Sequence, residues 1–342
     1  MVAAQSGSDC LTFCGRKIIR LWTIRLGALV LLISLVNLAG LRAASAQMGV
    51  GKVAGRQLVW LDTDVGDDID DAFAIGLIVK SPELKLLGVS TAFGDTEMRA
   101  RLVDRYFAEI GWTGIPVTAG VYTETDNKMT QRDYAEAAPA RKHADGVAAM
   151  LDAIRAHPGQ VTLIAIGPLF NVGAAIERDP ETFRKVKRVV IMGGSIYRGY
   201  GTAKAAPEWN ILCDPKGAAK LFSAGVPLYV MPLDSTQIPL DAAGREAIFA
   251  KSGKLGAQIQ ALYEQWAAGN PNHSPNPTLF DPVAVTYTFR PDLCPAKPMH
   301  VDVDAKGMTI PGQGKPNAEV CLKSDEAGFL TLLTSRLELG AK

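Results

Sequence analysis

The sequence predicts an α/β protein with an open, mostly parallel sheet flanked by helices, of the Rossmann-like kind. Apolar runs of strand length alternate with segments that are apolar at helical spacing. The strand-like runs are nearly continuous in Val, Ile and Leu, as parallel strands buried on both faces require. An acidic cluster interrupts the first strand–helix junction. In such sheets, ligands bind beyond the carboxyl ends of the strands.

The predicted elements alternate through most of the chain. The strands are expected at 57–64, 84–93, 116–119, 161–167, 188–194 and 227–234. Helices are expected at 70–81, 97–110 and 146–156, and behind the strand at 161–167. This order implies right-handed βαβ units.

The C-terminal third departs from this alternation. Residues 241–277 resemble a helical insertion that ends in Gly, Asn and Pro, and a helix follows at 282–288. Residues 299–322 are expected to form a small antiparallel addition, and 325–339 a closing helix. We expect residues 47–342 to form one domain.

The N-terminus has the pattern of a secretory leader. A basic stretch precedes an apolar run at 26–41, which is short for a membrane span of about 20 residues. Ala44-Ser45-Ala46 fits the small-x-small rule of signal peptidase. We expect a signal peptide at 1–46 and a periplasmic or secreted protein with no stable membrane anchor after cleavage. An uncleaved N-terminal anchor is the alternative.

Net charge and cysteine content narrow the possible partners and disulfides. The formal net charge of +1 predicts no nucleic-acid partner. Cys213, Cys294 and Cys321 remain after removal of the leader, so at least one thiol stays free. Cys294 and Cys321 flank a short β-rich segment and could pair in an oxidising compartment, and three reduced thiols are the alternative, since sequence does not give the connectivity.

Six aspartates crowd the first strand-to-helix turn, in LDTDVGDDIDDA: Asp62, Asp64, Asp67, Asp68, Asp70 and Asp71. Two carboxylates about 4 Å apart repel by about 4 kcal/mol at an effective dielectric of about 20. A divalent cation relieves this repulsion, and all-oxygen ligands favour calcium. A solvated acidic loop that caps the helix is an alternative. An EF-hand is excluded by residue order, whereas the DxD of an aspartyl-phosphate phosphatase remains a competing interpretation.

Several motifs, in order, resemble the inosine–uridine nucleoside hydrolase family. DTDVGDDIDDA resembles its N-terminal fingerprint, in the variant with two extra residues before the paired aspartates. The further matches are IAIGPLFN (164–171), VVIMGG (189–194), EWNILCDP (208–215), MPLDST (231–236) and FDPVAV (280–285). The ordered set spans nearly the whole mature chain. It implies the nucleoside hydrolase fold and a ribonucleoside substrate.

The resemblance also implies roles for single residues. Calcium would be held by Asp64, Asp71, Asp281 and the backbone carbonyl of Ile166, and Asp64 would act as general base on a calcium-bound water. The sugar-binding residues would be Asp70, Glu208, Asn210 and Asp281, with Met192 packed against the sugar. Asp95 stands where the family usually has an Asn. These residue types suit cleavage through a cationic ribosyl transition state, which carboxylates stabilise.

Phe280 is the clearest departure from the family pattern, because many members place a leaving-group His before the C-terminal Asp. Phe280 would instead stack on the base, or His273 would serve as the acid. Trp209, Tyr200 and Trp266 are further candidates for the base pocket. Glu208 and Asn210 have the alternative role of a loop–helix cap. A non-catalytic nucleoside-binding protein of the same fold is the alternative function, and a homo-oligomer is compatible with the resemblance.

Overall fold

The apolar runs of the sequence form the strands of one sheet. The computed structural model describes residues 55–271 and 274–338, so the leader predicted at 1–46 lies outside the described residues. The strands of the described part are β1 (Gln57–Thr63), β2 (Leu84–Thr91), β3 (Val117–Ala119), β4 (Val161–Ala165), β5 (Arg188–Met192), β6 (Leu228–Met231), β7 (Ala296–Val303), β8 (Thr309–Gly312) and β9 (Ala318–Cys321).

The helices connect and cover these strands. Their bounds are α1 (Asp70–Lys80), α2 (Thr96–Ile110), α3 (Arg132–Glu136), α4 (Gly146–Ala156), α5 (Phe170–Arg178), α6 (Pro180–Phe183), α7 (Trp209–Cys213), α8 (Pro215–Ser223), α9 (Leu233–Thr236), α10 (Ala242–Lys251), α11 (Lys254–Gly269), α12 (Asp281–Tyr287) and α13 (Glu326–Glu338). The predicted helical insertion corresponds to α10 and α11. No helix in the described ranges combines the length and apolar character needed to cross a membrane.

The strand order β3-β2-β1-β4-β5-β6-β9-β7-β8 confirms the predicted fold class. Strands β1 to β6 are all parallel to their neighbours. The chain runs outward from β1 to β3, then crosses back to β4 beside β1 and runs outward the other way. This reversal opens a crevice at the carboxyl ends of β1 and β4, where ligands bind in open α/β sheets.

The C-terminal addition differs from the prediction in one respect. β7 pairs antiparallel with both β8 and β9, as expected, but β9 pairs in parallel with β6 and so extends the main sheet. The strand predicted at 227–234 ends at Met231, and the short helix α9 follows it. The predicted length assumed that the apolar run stayed extended, whereas Pro232 lies in the turn between the two elements.

Each face of the sheet carries its own hydrophobic core. Val59 and Leu61 of β1 pack on one face with α1, α2, α11, α12 and α13, whereas Trp60 packs on the other with α4, α5 and α8. The alternation follows from the two-residue period of a strand. Helix α1 has nine of its eleven residues buried, so its two first-turn aspartates begin inside the protein.

Cys294 and Cys321 form a disulfide with a Cα–Cα distance of 5.6 Å, and Cys213 is a free thiol. The bridge joins the segment before β7 to the last residue of β9. It therefore closes β7, β8 and β9 into one covalent loop.

Candidate active site

The crevice at the carboxyl ends of the strands contains a cavity of about 510 Å³. Ten of the residues singled out by the sequence contribute to its wall: Asp64, Asp70, Asp71, Ile166, Met192, Glu208, Trp209, Asn210, Phe280 and Asp281. Tyr200 and Trp266, the further candidates for a base pocket, line it as well. The cavity wall therefore combines a group of carboxylates, called the acidic end here (Asp64, Asp70, Asp71 and Asp281), with a group of rings, called the aromatic end (Tyr200, Trp209, Trp266 and Phe280).

The acidic end is built by three elements. Asp64 directly follows β1, Asp70 and Asp71 open α1, and Asp281 opens α12. Among the described residues, Asp70, Asp71 and Asp281 offer carboxylate oxygens that lie within 4.8 Å of one another. The backbone N–H of Asp281 donates to Asp70 at 3.0 Å. The Thr63 hydroxyl donates to Asp71.

Burial dominates the electrostatics of this cluster. It raises the pKa of Asp64 to about 7, and the nearby carboxylates of Asp67 and Asp68 oppose the lowering effect of Arg99. The pKa values of Asp70, Asp71 and Asp281 lie well above the ordinary range, because burial and the neighbouring aspartates both disfavour their charged forms. These four side chains are at most 9% exposed, so the alternative of a solvated acidic loop is wrong.

Ile166 lines the cavity one residue beyond the end of β4. Its backbone carbonyl is part of a hydrogen-bond network. It accepts a hydrogen bond from the Asn210 side-chain amide at 3.1 Å, and the same amide donates to the Met192 carbonyl at 3.1 Å. Asn210 is thus oriented by the ends of two neighbouring strands. A carbonyl oxygen has a second lone pair, so the Ile166 carbonyl keeps the capacity to bind a cation.

Glu208 has the capping role that the sequence allowed as an alternative. Its Oε1 accepts from the Asn210 N–H at 2.9 Å, and its Oε2 accepts from the Gly194 N–H at 2.8 Å. The side chain therefore caps α7 and also joins that helix to the turn after β5. Burial raises the pKa of Glu208 to about 7, against the opposing effect of these backbone donors. Capping and lining the cavity are compatible roles.

The aromatic end is formed by side chains from separate segments. The rings of Tyr200 and Phe280 meet edge to face at a centroid distance of 6.3 Å. The Tyr200 hydroxyl accepts a hydrogen bond from the Trp209 backbone N–H at 3.1 Å. Trp209 is 39% exposed, and Trp266 of α11 is almost fully buried. Aromatic side chains of this kind can pack against a planar ligand.

Two predicted site residues do not contribute to the described cavity. Asp95 lies outside the wall, because its carboxylate caps α2 by accepting from the Met98 N–H at 3.0 Å and faces Arg132 at 3.7 Å. The family resemblance suggested a sugar-binding position for Asp95. In the structure, the hydrogen bond that caps α2 orients its carboxylate. His273, the proposed alternative acid, lies outside the described residues.

Asp62 excludes the phosphatase alternative. In an aspartyl-phosphate phosphatase, the first aspartate of the DxD motif, here Asp62, would be the nucleophile. The Asp62 side chain is fully buried, and its Oδ1 accepts hydrogen bonds from Ser90 and from Asn171. It cannot reach a phosphoester in the cavity.

Several wall residues were missed by sequence reasoning: Asn127, Lys128, Thr130 and Asn270. The first three belong to an irregular segment between β3 and α3, which has no periodic pattern to guide a prediction. Arg99 was also missed. It lies on α2 and forms an ion pair with Asp67 at 2.6 Å. A single basic residue in an amphipathic helix gives no sign of such a contact.

Comparison with known proteins identifies the family of this chain. The family model described as inosine-uridine preferring nucleoside hydrolase matches residues 59–331. The non-specific ribonucleoside hydrolase RihC of Escherichia coli (strain SMS-3-5 / SECEC) is 30% identical over 308 residues, covering 83% of this chain and 99% of the relative. RihC of Escherichia fergusonii is 31% identical over 296 residues, covering 79% of this chain and 95% of the relative.

Solved structures give the same result. The plant nucleoside hydrolase PpNRh1 superposes with a TM-score of 0.72 at 25% identity, covering 83% of this chain and 99% of that one. A purine-preferring ribonucleoside hydrolase from Gardnerella vaginalis, at 24% identity, shares the fold with a TM-score of 0.70, covering 82% of this chain and 98% of that one. The resemblance noted in the sequence is confirmed: the chain belongs to the inosine-uridine preferring nucleoside hydrolase family.

Proposed function

We propose that this protein is a calcium-dependent enzyme that hydrolyses the N-glycosidic bond of ribonucleosides, giving ribose and free base. The observation that carries the proposal is the cavity itself, in which a buried acidic end and an aromatic end meet. A ribonucleoside has the matching division into a polyhydroxylated sugar and a planar base. The names of the similar proteins support the same substrate class.

The acidic end fits a calcium ion by its donor chemistry. Asp64, Asp71, Asp281 and the Ile166 carbonyl would hold the ion, and they offer only oxygen, as hard cations prefer. The close approach of Asp70, Asp71 and Asp281 gives the site a high density of negative charge, which a divalent cation compensates. When bound, calcium lowers the pKa of water and neutralises these acids.

The chain's own residues would supply the remaining chemistry. Asp64 would take a proton from the attacking water, because a carboxylate within hydrogen-bond reach of that water can act as a general base. Asp70, Glu208 and Asn210 would orient the ribose hydroxyls. The carboxylates would stabilise positive charge that develops on the sugar ring in the transition state. Met192 would pack against the sugar.

The leaving base would lie at the aromatic end. Phe280 would stack on the base, and Tyr200, Trp209 and Trp266 would enclose it. His273 stays a candidate for the acid that protonates the base, because an imidazole titrates near neutral pH. A non-catalytic nucleoside-binding protein is the competing proposal, because Phe280 stands where many family members carry a His.

A substrate panel tests the activity. Purified protein is incubated with inosine, uridine and p-nitrophenyl riboside, with calcium or with a chelator, and released ribose is measured. We expect release that the chelator abolishes, that calcium restores better than magnesium, and that Asp64→Asn removes. Asp241→Asn is the matched control, because Asp241 caps the distant helix α10 and asparagine caps equally well. Binding of inosine without ribose release would instead establish the non-catalytic alternative.

We also propose that residues 1–46 are a cleaved signal peptide, that 47–342 form the mature periplasmic or secreted domain, and that the protein acts outside the cytoplasm. The leader pattern supports this proposal, and so does the Cys294–Cys321 disulfide, which is typical of oxidising compartments. The intact mass of the exported protein tests the cleavage. A mass that still includes residues 1–46 would overturn it.

A further inference from the structure

Arg99 is a buried cation next to the acidic turn, and the proposed reaction has assigned it no role. It lies in the first turn of α2 and is 3% exposed. Burying a guanidinium has a high free-energy cost unless its donors are satisfied. The partners of Arg99 therefore indicate what the residue does.

All of the partners lie on the turn between β1 and α1 or in the segment just after β2. Nε donates to the Phe93 carbonyl at 2.7 Å, and Nη2 donates to the Asp67 carboxylate at 2.6 Å. Nη1 donates to two successive carbonyls, those of Val65 at 3.1 Å and of Asp64. A single planar group thus holds three backbone carbonyls and one carboxylate. The compact ammonium of a lysine cannot reproduce this fork of donors.

Gly66 allows the Arg99 guanidinium to come close to the backbone of the turn. It has a φ of +133°, and a Cβ there would come within 3.1 Å of Arg99 Nη1 and 2.6 Å of Met129 Cε. The opposite side of the turn is held by the segment before α3. There the Gln131 N–H donates to the Gly66 carbonyl at 2.9 Å, and the Thr130 hydroxyl donates to the Asp67 carbonyl at 2.6 Å. The backbone that carries Asp64 is therefore fixed from two sides.

A purely electrostatic role for Arg99 is the competing explanation. The Asp67 side chain is 21% exposed, and an arginine beside it would compensate its charge. Charge compensation accounts for one of the four contacts. It leaves the bonds to the carbonyls of Asp64, Val65 and Phe93 unexplained.

We propose that Arg99 is a positioning residue: by holding the carbonyl oxygens of Asp64 and Val65, it fixes the backbone from which the Asp64 carboxylate projects into the cavity. This inference rests on the proposed function, because Asp64 is the proposed base and calcium ligand. Arg99 itself does not line the cavity, and it acts through Asp64.

Four variants separate positioning from charge compensation: Arg99→Lys, Arg99→Gln, the double variant Arg99→Gln/Asp67→Asn, and the control Arg101→Gln. Arg101 is on the same helix and also donates to a backbone carbonyl, that of Ala138 at 2.7 Å, away from the cavity. The readouts are kcat and KM for p-nitrophenyl riboside at saturating calcium, the calcium dissociation constant by calorimetry, and the melting temperature.

For Arg99→Lys and Arg99→Gln we expect kcat to fall and calcium binding to weaken, each by about 10- to 100-fold, as is typical when a group that orients a metal ligand is lost. KM should change little, because the substrate does not touch Arg99. The double variant should remain as impaired as Arg99→Gln, and Arg101→Gln should match the wild type. If Arg99→Gln fails to fold, Arg99→Lys decides, since it keeps the buried charge.

Wild-type kcat and calcium affinity in Arg99→Lys would overturn the proposal. Recovery of both in the double variant would also overturn it, because charge compensation would then suffice. If the wild type itself releases no ribose, the proposed function fails, but calorimetry still tests the positioning. Weaker calcium binding in Arg99→Lys than in the wild type then supports it, and equal binding overturns it.

Discussion

The Asn171 side-chain amide donates to the Asp62 carboxylate at 2.7 Å, and both residues are fully buried. The Asn171 carbonyl oxygen accepts from the Val121 N–H at 2.7 Å, so the same pair links β1 to the segment after β3. Within the described residues, the second oxygen of Asp62 has no hydrogen-bond partner. Burial raises the pKa of Asp62 to about 7, although Ser90 and Asn171 oppose this effect.

Asp62→Asn should make the protein more stable at pH 8, because it removes a buried charge and keeps an oxygen acceptor. Between pH 3.8 and about 7 the folded state holds the Asp62 proton more tightly than the unfolded state, so wild-type stability falls as pH rises. The gain in unfolding free energy should reach up to about 4 kcal/mol at pH 8. Urea unfolding at pH 4 and pH 8 measures it, and a gain independent of pH would contradict this explanation.

Calcium should stabilise the protein more at pH 8 than at pH 6. Burial raises the pKa of Asp64 to about 7 and raises the pKa values of Asp71 and Asp281 well above the ordinary range, so these acids must lose protons before they bind a cation. The affinity for calcium should therefore fall at least about tenfold between pH 8 and pH 6. Calorimetry at both pH values measures the affinity, and stronger binding at pH 6 would contradict the expectation.

Phe280→Leu should weaken the binding of purine nucleosides. The substitution keeps an apolar side chain beside Tyr200 but removes the ring, and stacking on a base contributes about 1–3 kcal/mol. We expect KM for inosine to rise about tenfold, and KM for uridine to rise less because its base is smaller. Steady-state kinetics with both substrates measures the difference. The melting temperature controls for the contact of Phe280 with the core.

Reduction of the Cys294–Cys321 disulfide should destabilise the protein by about 3 kcal/mol, because the bridge closes a loop of 27 residues. Denaturant unfolding with and without a strong reductant measures the loss. The double variant Cys294→Ser/Cys321→Ser should be insensitive to reductant, whereas Cys213→Ser should keep the sensitivity of the wild type. An unchanged midpoint in reduced wild-type protein would show that the bridge contributes little.

The position of the acidic end was predictable from the sequence. Asp64, Asp70 and Asp71 follow an apolar run that is typical of a buried parallel strand, and the carboxyl end of such a strand faces the ligand crevice. Asp281 was reachable only through the family resemblance, since it is distant in sequence and only the packing of α12 near α1 brings it to Asp70. Local sequence patterns do not reveal contacts between residues that are so far apart in the chain.

Other features depend on tertiary contacts that leave no local signal. Phe93 has a φ of 65°, a conformation rare for an aromatic residue, and its carbonyl is held by Arg99. Asp95 was predicted near the sugar, but capping of α2 takes its carboxylate elsewhere. The pairing of β9 with β6 was missed because a short strand does not reveal its partner.

The packing of α12 beside α1 has a consequence for biosynthesis. A chain that leaves the ribosome N-terminus first exposes the aspartates of α1 well before Asp281 exists, and the calcium ligand set proposed here is complete only once both helices have met. The ion would therefore be captured late, after most of the polypeptide has emerged. Calcium binding would then be a late step of folding, and it would not contribute to the folding nucleus.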